Sequence, residues 1–487
     1  AWYNAAIDAG AGKYMDAVAL HPYLSYYSSL DVQPNMVEAI ENHMQKIEDS
    51  GVSTENMEIW WTEVGYTDAD AKDCFHPELD VKANNLVKSY VYGVSKGLCD
   101  VYSVYEMVSR IRANDREENF GILSHETYPR SGVPLSATDA VVAMTQMNYM
   151  LADAEADRII EQDGGELVCL YKSKKFNEDV AVLWKKRGNG QITLDLGTDS
   201  VTLYDSFGNS RVVNGKKGIF TFSLDESCIY IKGNFTRCNV AEAPLVKISD
   251  GEISGAIGDI VDIHYTNNTG SELEAEVDIP SNMEQIRDTE NGTIRLKLPE
   301  ADNQKSTVLI NFKEGDRIVQ ASSVTVHYMQ KADSSLSNEL VEGNGYDNWI
   351  ANTTVKNYSG MNNIRGYIQF NYPESFKQLG KIPTGPIPPN KEAELKIQLP
   401  DIIKKGMYYI DYDVCLEDGT KYNYVKDLDF TLAVHAKTPP RIDGIIENRE
   451  WNNSTTMYAE NPEQVKNKPD YKGKDDLSAK INVMWDE

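Results

Sequence analysis

The periodicity of the chain changes at Asp163-Gly164-Gly165, and that change limits the folds open to it. Before this point, short apolar runs alternate with stretches of helical period; after it, brief strand-like runs are separated by turns. Residues 16–20 form a compact apolar run ending in His21-Pro22-Tyr23, as a buried parallel strand entering a loop would. Pro34 opens a helix with Met36, Ile40, Met44 and Ile47 on one face, closed near Gly51. The run 57–61 reads as the next strand and leads into Thr62-Glu63-Val64-Gly65. A helix over 81–96 stops at Gly97, and a strand over 100–107 follows. After a long loop through Asn119-Phe120-Gly121 comes a helix over 137–151. Repeated βα units imply a parallel sheet, either open and doubly wound or closed into a barrel.

Beyond Gly165 the runs at 167–171, 180–184, 191–196, 201–204, 218–222 and 228–231 read as short alternating strands. Turn signals such as Arg187-Gly188-Asn189-Gly190 and Asp205-Ser206-Phe207-Gly208-Asn209 separate them. That pattern predicts an antiparallel sandwich. The same texture continues over 243–328 and 342–435, with core strands at 260–265, 323–328, 408–414 and 428–434. Lys437-Thr438-Pro439-Pro440 has the composition of a stiff linker. At 487 residues the chain is too long for one core. The expected division is 1–160 α/β, 161–240 a sandwich packed on it, 241–335 and 336–436 two Ig-like sandwiches, and 437–487 the start of a further module.

A net charge of −27 repels phosphate backbones and anionic lipid, so nucleic acid and membrane surfaces are poor partners. A neutral polysaccharide or oligosaccharide is not penalised by it. No apolar run approaches the ~20 residues of a membrane span. The cysteines at 74, 99, 169, 228, 238 and 415 are scattered and read as mostly free and structural. Only Cys228 and Cys238 are close enough to raise a disulfide question, and Cys74 with His76 falls short of a zinc site. Both ends read as cut, within a helix at Ala1-Trp2-Tyr3 and within a strand at Trp485-Asp486-Glu487, so a fragment is expected.

The chemistry is expected at the C-terminal ends of the parallel strands, which carry His21-Pro22-Tyr23, Trp61-Thr62-Glu63 and Tyr105-Glu106. A carboxylate leaving an apolar strand between tryptophans is expensive to desolvate. One use for it is nucleophilic attack on an anomeric carbon, with a second carboxyl about 5–5.5 Å away protonating the leaving oxygen. The plainer use is a loop cap paired with a nearby Lys or Arg.

The ordered set Asp-Ala-Val-Ala-Leu-His-Pro-Tyr, Glu-Ile-Trp-Trp-Thr-Glu-Val-Gly-Tyr, Val-Tyr-Ser-Val-Tyr-Glu and Glu-Asn-Phe-Gly-Ile-Leu resembles the second half of clan A (β/α)8 glycoside hydrolases, family 39-like or family 5-like. The resemblance covers roughly residues 1–235. It implies the C-terminal part of a (β/α)8 TIM barrel followed by several antiparallel β-sandwich domains, acting by a retaining mechanism. Glu63 maps onto the nucleophile, and Tyr23, ahead of His21, onto the residue that hydrogen-bonds it or the sugar. Tyr105 maps onto the aromatic floor of the −1 subsite, and Trp61 is a further substrate-binding candidate. No catalytic metal is implied. The clan's acid/base follows an Asn at the end of strand four, upstream of the matched motifs, so the chain alone is expected to be inactive. Glu106 and Glu126 are weaker stand-ins, best read as loop or salt-bridge residues.

The tail from Arg441-Ile442-Asp443-Gly444 to Trp451, with Lys474-Asp475-Asp476 and Val483-Met484-Trp485, resembles the opening of a family 9-like carbohydrate-binding module. There Trp451 and Trp485 read as core residues, and Asp475 and Asp476 are permissive for structural calcium. Together these features lead to an extracellular or surface-attached glycosidase. The alternative is a non-catalytic carbohydrate-binding or adhesion protein built on a decayed barrel.

Overall fold

The computed structural model describes residues 2–23, 29–67, 79–108, 120–124, 136–286, 292–300, 304–340, 349–400, 407–430, 434–436, 438–439, 441, 445, 447, 449–451, 454–459, 472–473 and 475–485. Cys74 and Glu126 lie outside them.

The first part holds helices α1 (Trp2–Asp8), α2 (Pro34–Asp49), α3 (Leu79–Ser95) and α4 (Asp139–Leu151). Its strands β1 (Ala17–Leu20), β2 (Glu58–Val64) and β3 (Val101–Val104) pair in that order, all parallel. Pro34 stands at the first turn of α2, where its missing N–H costs nothing, and Ile40 and Ile47 form the buried side of that helix. Ile59 and Trp61 of β2 share one cluster with Ile40 of α2, Val87 and Val91 of α3, and Ala143 of α4. The opposite face of the sheet carries Trp60 and Val101, which are exposed. Among the described residues this sheet has three parallel strands and does not close; where the sequence led to the C-terminal part of a barrel, the structure has an open parallel sheet, and a barrel itself is not shown.

The next two sheets form the first sandwich, and its central strands are not the half-buried runs that alternation suggested. In Glu166–Ser173 and Glu178–Lys185 five consecutive residues are buried. Period-two geometry divides them between two cores. Leu167, Cys169, Tyr171, Val180, Val182 and Trp184 join the core under the helices. Val168, Leu170, Ala181 and Leu183 face the second sheet of the sandwich, with Leu194, Phe220 and Phe222. The Trp184 indole N–H donates to Asp31 Oδ2 at 2.9 Å, tying the sandwich to the α/β part through a buried hydrogen bond.

Cys228 lies in the first of these cores and Cys238 in the second, and both are free thiols. Burial pushes the thiols of Cys99 and Cys169 up to about 12 and that of Cys238 up to about 11. They are neutral near pH 7 and poor nucleophiles or ligands.

Two further sandwiches follow. In the second, Arg317–Met329 pairs antiparallel with Gln304–Glu314 and parallel with Glu252–Ala256. In the third, Met407–Leu416 lies between Gly366–Tyr372 and Lys421–Asp429. Ser359 Oγ and the Gly360 N–H both donate to the buried Asp259 carboxylate, at 2.9 and 3.0 Å, joining the two. Lys331 Nζ and Asp418 Oδ2, 2.8 Å apart, pair beside this joint. Burial alone would raise the Asp418 carboxyl, but hydrogen bonds from Lys331 and Thr420 outweigh it and hold it at about 2.

A depressed folded value contributes stability that is complete above the ordinary 3.8 and is lost as pH falls toward 2. Asp418→Asn is therefore expected to lower the melting temperature slightly at neutral pH and to flatten its acid limb below pH ~4. Parallel acid profiles for the two proteins would show that the pair contributes nothing.

The last described sheet pairs Val434–His435 and Thr455–Ala459 with Ala479–Trp485. Trp485 is not a core residue as expected: it is 52% exposed, its ring 4.4 Å from that of His435. Asp476 Oδ2 accepts the Lys472 N–H within an exposed turn. No helix among the described residues is long and apolar enough to cross a membrane.

Candidate active site

Parallel pairing brings the C-terminal ends of β1, β2 and β3 to one edge, with Leu20 opposite Trp61 and Val64 opposite Val104. Side chains alternate along β2 as far as Thr62, and the register then shifts between Trp61 and Val64. Such an irregularity at a strand end re-aims the side chains beside it. Glu63, with its side chain 29% exposed, sits within it, and its Oε2 lies 2.9 Å from His21 Nδ1 at the end of β1. The imidazole donates from Nδ1 and fixes one carboxylate oxygen, so the carboxylate is held in orientation at the sheet edge.

Beside this pair stand three aromatic rings. Tyr23 and Tyr105 have centroids 6.3 Å apart, nearly edge to face. Phe120 lies 6.0 Å from Tyr23 and 5.5 Å from Tyr105, closing the triangle. The backbone locks Tyr105 in place: its N–H donates to Val64 O at 2.7 Å, and the Glu106 N–H donates to Phe120 O at 3.4 Å. The buried Lys82 ammonium on α3 donates to Gly121 O, anchoring the segment that carries Phe120. Gly65 makes the arrangement possible, because a Cβ there would lie 2.0 Å from Tyr105 O and 2.7 Å from Phe120 Cδ1. Buried Phe120 between partly exposed tyrosines gives an apolar wall of steeply tilted rings next to a carboxylate.

Of the residues singled out in the sequence, His21, Tyr23, Glu63 and Tyr105 come together at this edge. Trp61 does not. It is fully buried, 5.7 Å from the Tyr102 ring, and its indole touches the Cα side of Gly93 on α3. The alternation that puts Ile59 on the covered face puts Trp61 there too, so its expected contact with substrate is corrected to a core role. The exposed tryptophan is Trp60, whose Nε1 donates to Glu58 Oε2 at 2.7 Å. Phe120 and Gly65 stood in the motifs without an assigned role; the Gly two residues after Glu63 was the available signal. Among the described residues no three His, Cys, Asp or Glu side chains cluster as metal ligands would.

No family model and no curated protein matches the chain. Among solved structures it is similar to a family 39 glycoside hydrolase from the gut symbiont Bacteroides cellulosilyticus WH2, at 17% identity and a TM-score of 0.37 over 47% of this chain and 46% of that one. It is similar to gamma-CGTase from alkalophilic Bacillus clarkii at 14% identity and 0.24, over 88% and 66%. Fibronectin(III)-like modules of Clostridium thermocellum CbhA align at 12% identity and 0.15, over 38% and 94%. The chain thus spans about half of the family 39 structure and two thirds of the gamma-CGTase. A glycoside hydrolase stands among its structural neighbours.

Proposed function

We propose that this chain carries the nucleophile side of a retaining glycoside hydrolase acting on a polysaccharide or oligosaccharide. The observation that supports it is the Glu63 carboxylate held by His21 at 2.9 Å beside the Tyr23, Tyr105 and Phe120 rings. In this reading β1 to β3 are three successive strands of a (β/α)8 barrel, and their shared edge is its catalytic end.

Glu63 attacks the anomeric carbon through the oxygen that His21 leaves free. The glycosidic C–O bond breaks as a second carboxyl protonates the departing oxygen, and a glycosyl ester forms on Glu63. Water, deprotonated by that second carboxyl, then cleaves the ester and restores both groups. Tyr105 floors the −1 subsite, where an aromatic face suits the apolar side of a pyranose. Tyr23, supported by Phe120, lines the side of the same subsite. The sandwiches spanning 161–240, 241–335 and 336–436 brace the catalytic part and space it from a sugar-binding module over 437–487. The setting proposed for the protein is extracellular or cell-surface.

A fluorinated-sugar inactivator tests the reading directly on the full gene product. Mass spectrometry of the digested protein is expected to find one glycosyl adduct, on the peptide containing Glu63. An adduct on another carboxylate sinks the nucleophile assignment. Glycan binding without turnover or adduct favours a carbohydrate-binding protein instead.

A further inference from the structure

A cleft of about 580 Å³ opens where α3, the first sandwich and the second sandwich meet, and it is distinct from the Glu63 edge. Residues 81, 84, 85 and 88 of α3 line it, at the i, i+3, i+4, i+7 spacing of one helix face. Three polar side chains in this lining have unanswered hydrogen-bonding groups. Lys88 is 2% exposed, and its ammonium has neither a hydrogen bond nor an ion pair among the described residues. Asn85, 4% exposed, leaves its Nδ2 buried and unpaired, and the Ser223 hydroxyl is buried and unpaired as well. An ammonium on a side chain this buried, open only toward the cleft and without a counter-ion, is costly to keep, so its retention at a cavity wall points to an occupant.

The charges around it sharpen the requirement. Arg211 also lines the cleft; it donates to Asn311 Oδ1 at 3.1 Å and meets no carboxylate among the described residues. The four carboxylates that line the cleft are already engaged. Glu252 pairs with His327 and accepts from Asn189, and Glu226 accepts the Gly188 N–H and faces Arg187. Asp205 accepts the N–H groups of Phe207 and Asn209, and Asp225 that of Ser227. In a chain of net charge −27, this cleft therefore presents two cations without carboxylate partners and two further unpaired polar groups. Phe207, 46% exposed, adds an apolar face.

We infer that the cleft binds a small ligand bearing an oxyanion, carboxylate or phosphate. Lys88 answers its charge, Asn85 and Ser223 hydrogen-bond its oxygens, and Phe207 covers its carbon skeleton. Donors of this kind, one of them charged, form the stronger class of hydrogen bonds. The site is independent of the proposed glycosidase chemistry, so Glu63→Gln is expected to leave binding unchanged.

Isothermal titration of the 487-residue chain with D-glucuronate, inorganic phosphate and D-glucose tests it. Saturable one-to-one binding is expected for at least one of the two oxyanions and not for glucose. Tighter glucuronate identifies the carboxylate as the natural group, and tighter phosphate the alternative. Lys88→Met is expected to weaken that binding about tenfold or more. The same variant should raise the melting temperature of the free protein, because it removes a charge that no carboxylate pairs with among the described residues. Arg211→Gln, at the wall and partly exposed, should weaken binding several-fold at an unchanged melting temperature. Absence of binding by both oxyanions, glucose binding as well as either, or full affinity in Lys88→Met would overturn the inference. A melting temperature that falls in Lys88→Met would do the same, since it would give Lys88 a structural partner.

Discussion

Glu63→Gln in the full gene product is expected to lower turnover of aryl glycosides on the order of 10⁴-fold or more, with thermal unfolding close to that of the wild type. The asymmetry follows from where Glu63 sits. Its side chain is 29% exposed at a strand end and its polar partner is His21, itself 54% exposed, so little packing depends on the charge. Surface pairs of that kind contribute roughly 0–1 kcal/mol. Gln fills the same space and accepts the same hydrogen bond, but its amide oxygen cannot form the glycosyl ester. Turnover and stability are thereby separated by one substitution. Near-full activity in Glu63→Gln would eliminate the nucleophile role. A large fall in melting temperature with modest kinetic loss would instead make Glu63 a loop cap.

Gly65→Ala is the second substitution with a large expected effect, and it acts through shape alone. The added methyl has no free space: Tyr105 O stands 2.0 Å from its position and Phe120 Cδ1 2.7 Å. One obstacle is backbone, held by the hydrogen bond from the Tyr105 N–H to Val64 O, so it cannot rotate away as a flexible side-chain end would. Forced overpacking costs typically 1–3 kcal/mol. The displacement falls on Tyr105 and Phe120, the proposed wall of the sugar site, and an error of about 1 Å in positioning can cost on the order of 10²-fold in rate. Kinetics on Gly65→Ala should therefore show kcat/KM reduced by roughly that factor with Glu63 intact. Wild-type kcat/KM would mean that Tyr105 and Phe120 do not position substrate.

The elements of the first part were largely legible because their signals are local. Pro34 marks the start of α2, observed as Pro34–Asp49, and Gly97 stops the helix observed as Leu79–Ser95. The strand anticipated over 100–107 ends at Val104: the Tyr105 N–H still donates to Val64 O of β2, but Glu106 turns to the Phe120 segment, a long-range contact without a local signature. Trp61 reads as a substrate contact only when motif position is weighed above period-two alternation, which places it with Ile59. The strands from Glu166 to Lys185 read as alternating only while one buried face is assumed. The resemblance put Tyr23 ahead of His21 as the partner of Glu63, whereas the structure pairs Glu63 with His21, a contact between separate strands that no local signal marks. The cleft was not legible at all. Lys88 looks like any helix lysine until the first sandwich docks, with Asn84 hydrogen-bonded to Ser227 across 143 residues of sequence.

The two-faced strands Glu166–Ser173 and Glu178–Lys185 make one sheet the common wall of two cores. Neither core survives removal of that wall, so the helical layer and the sandwich should melt in a single transition. Cutting the chain near residue 160 would strip the helices of part of their apolar cover while leaving Leu167, Tyr171 and Trp184 facing water. For anyone dissecting the protein, the smallest transplantable unit therefore runs past the change of periodicity, to the end of the first sandwich. Exchanging sandwiches between relatives as cassettes would fail at this seam first.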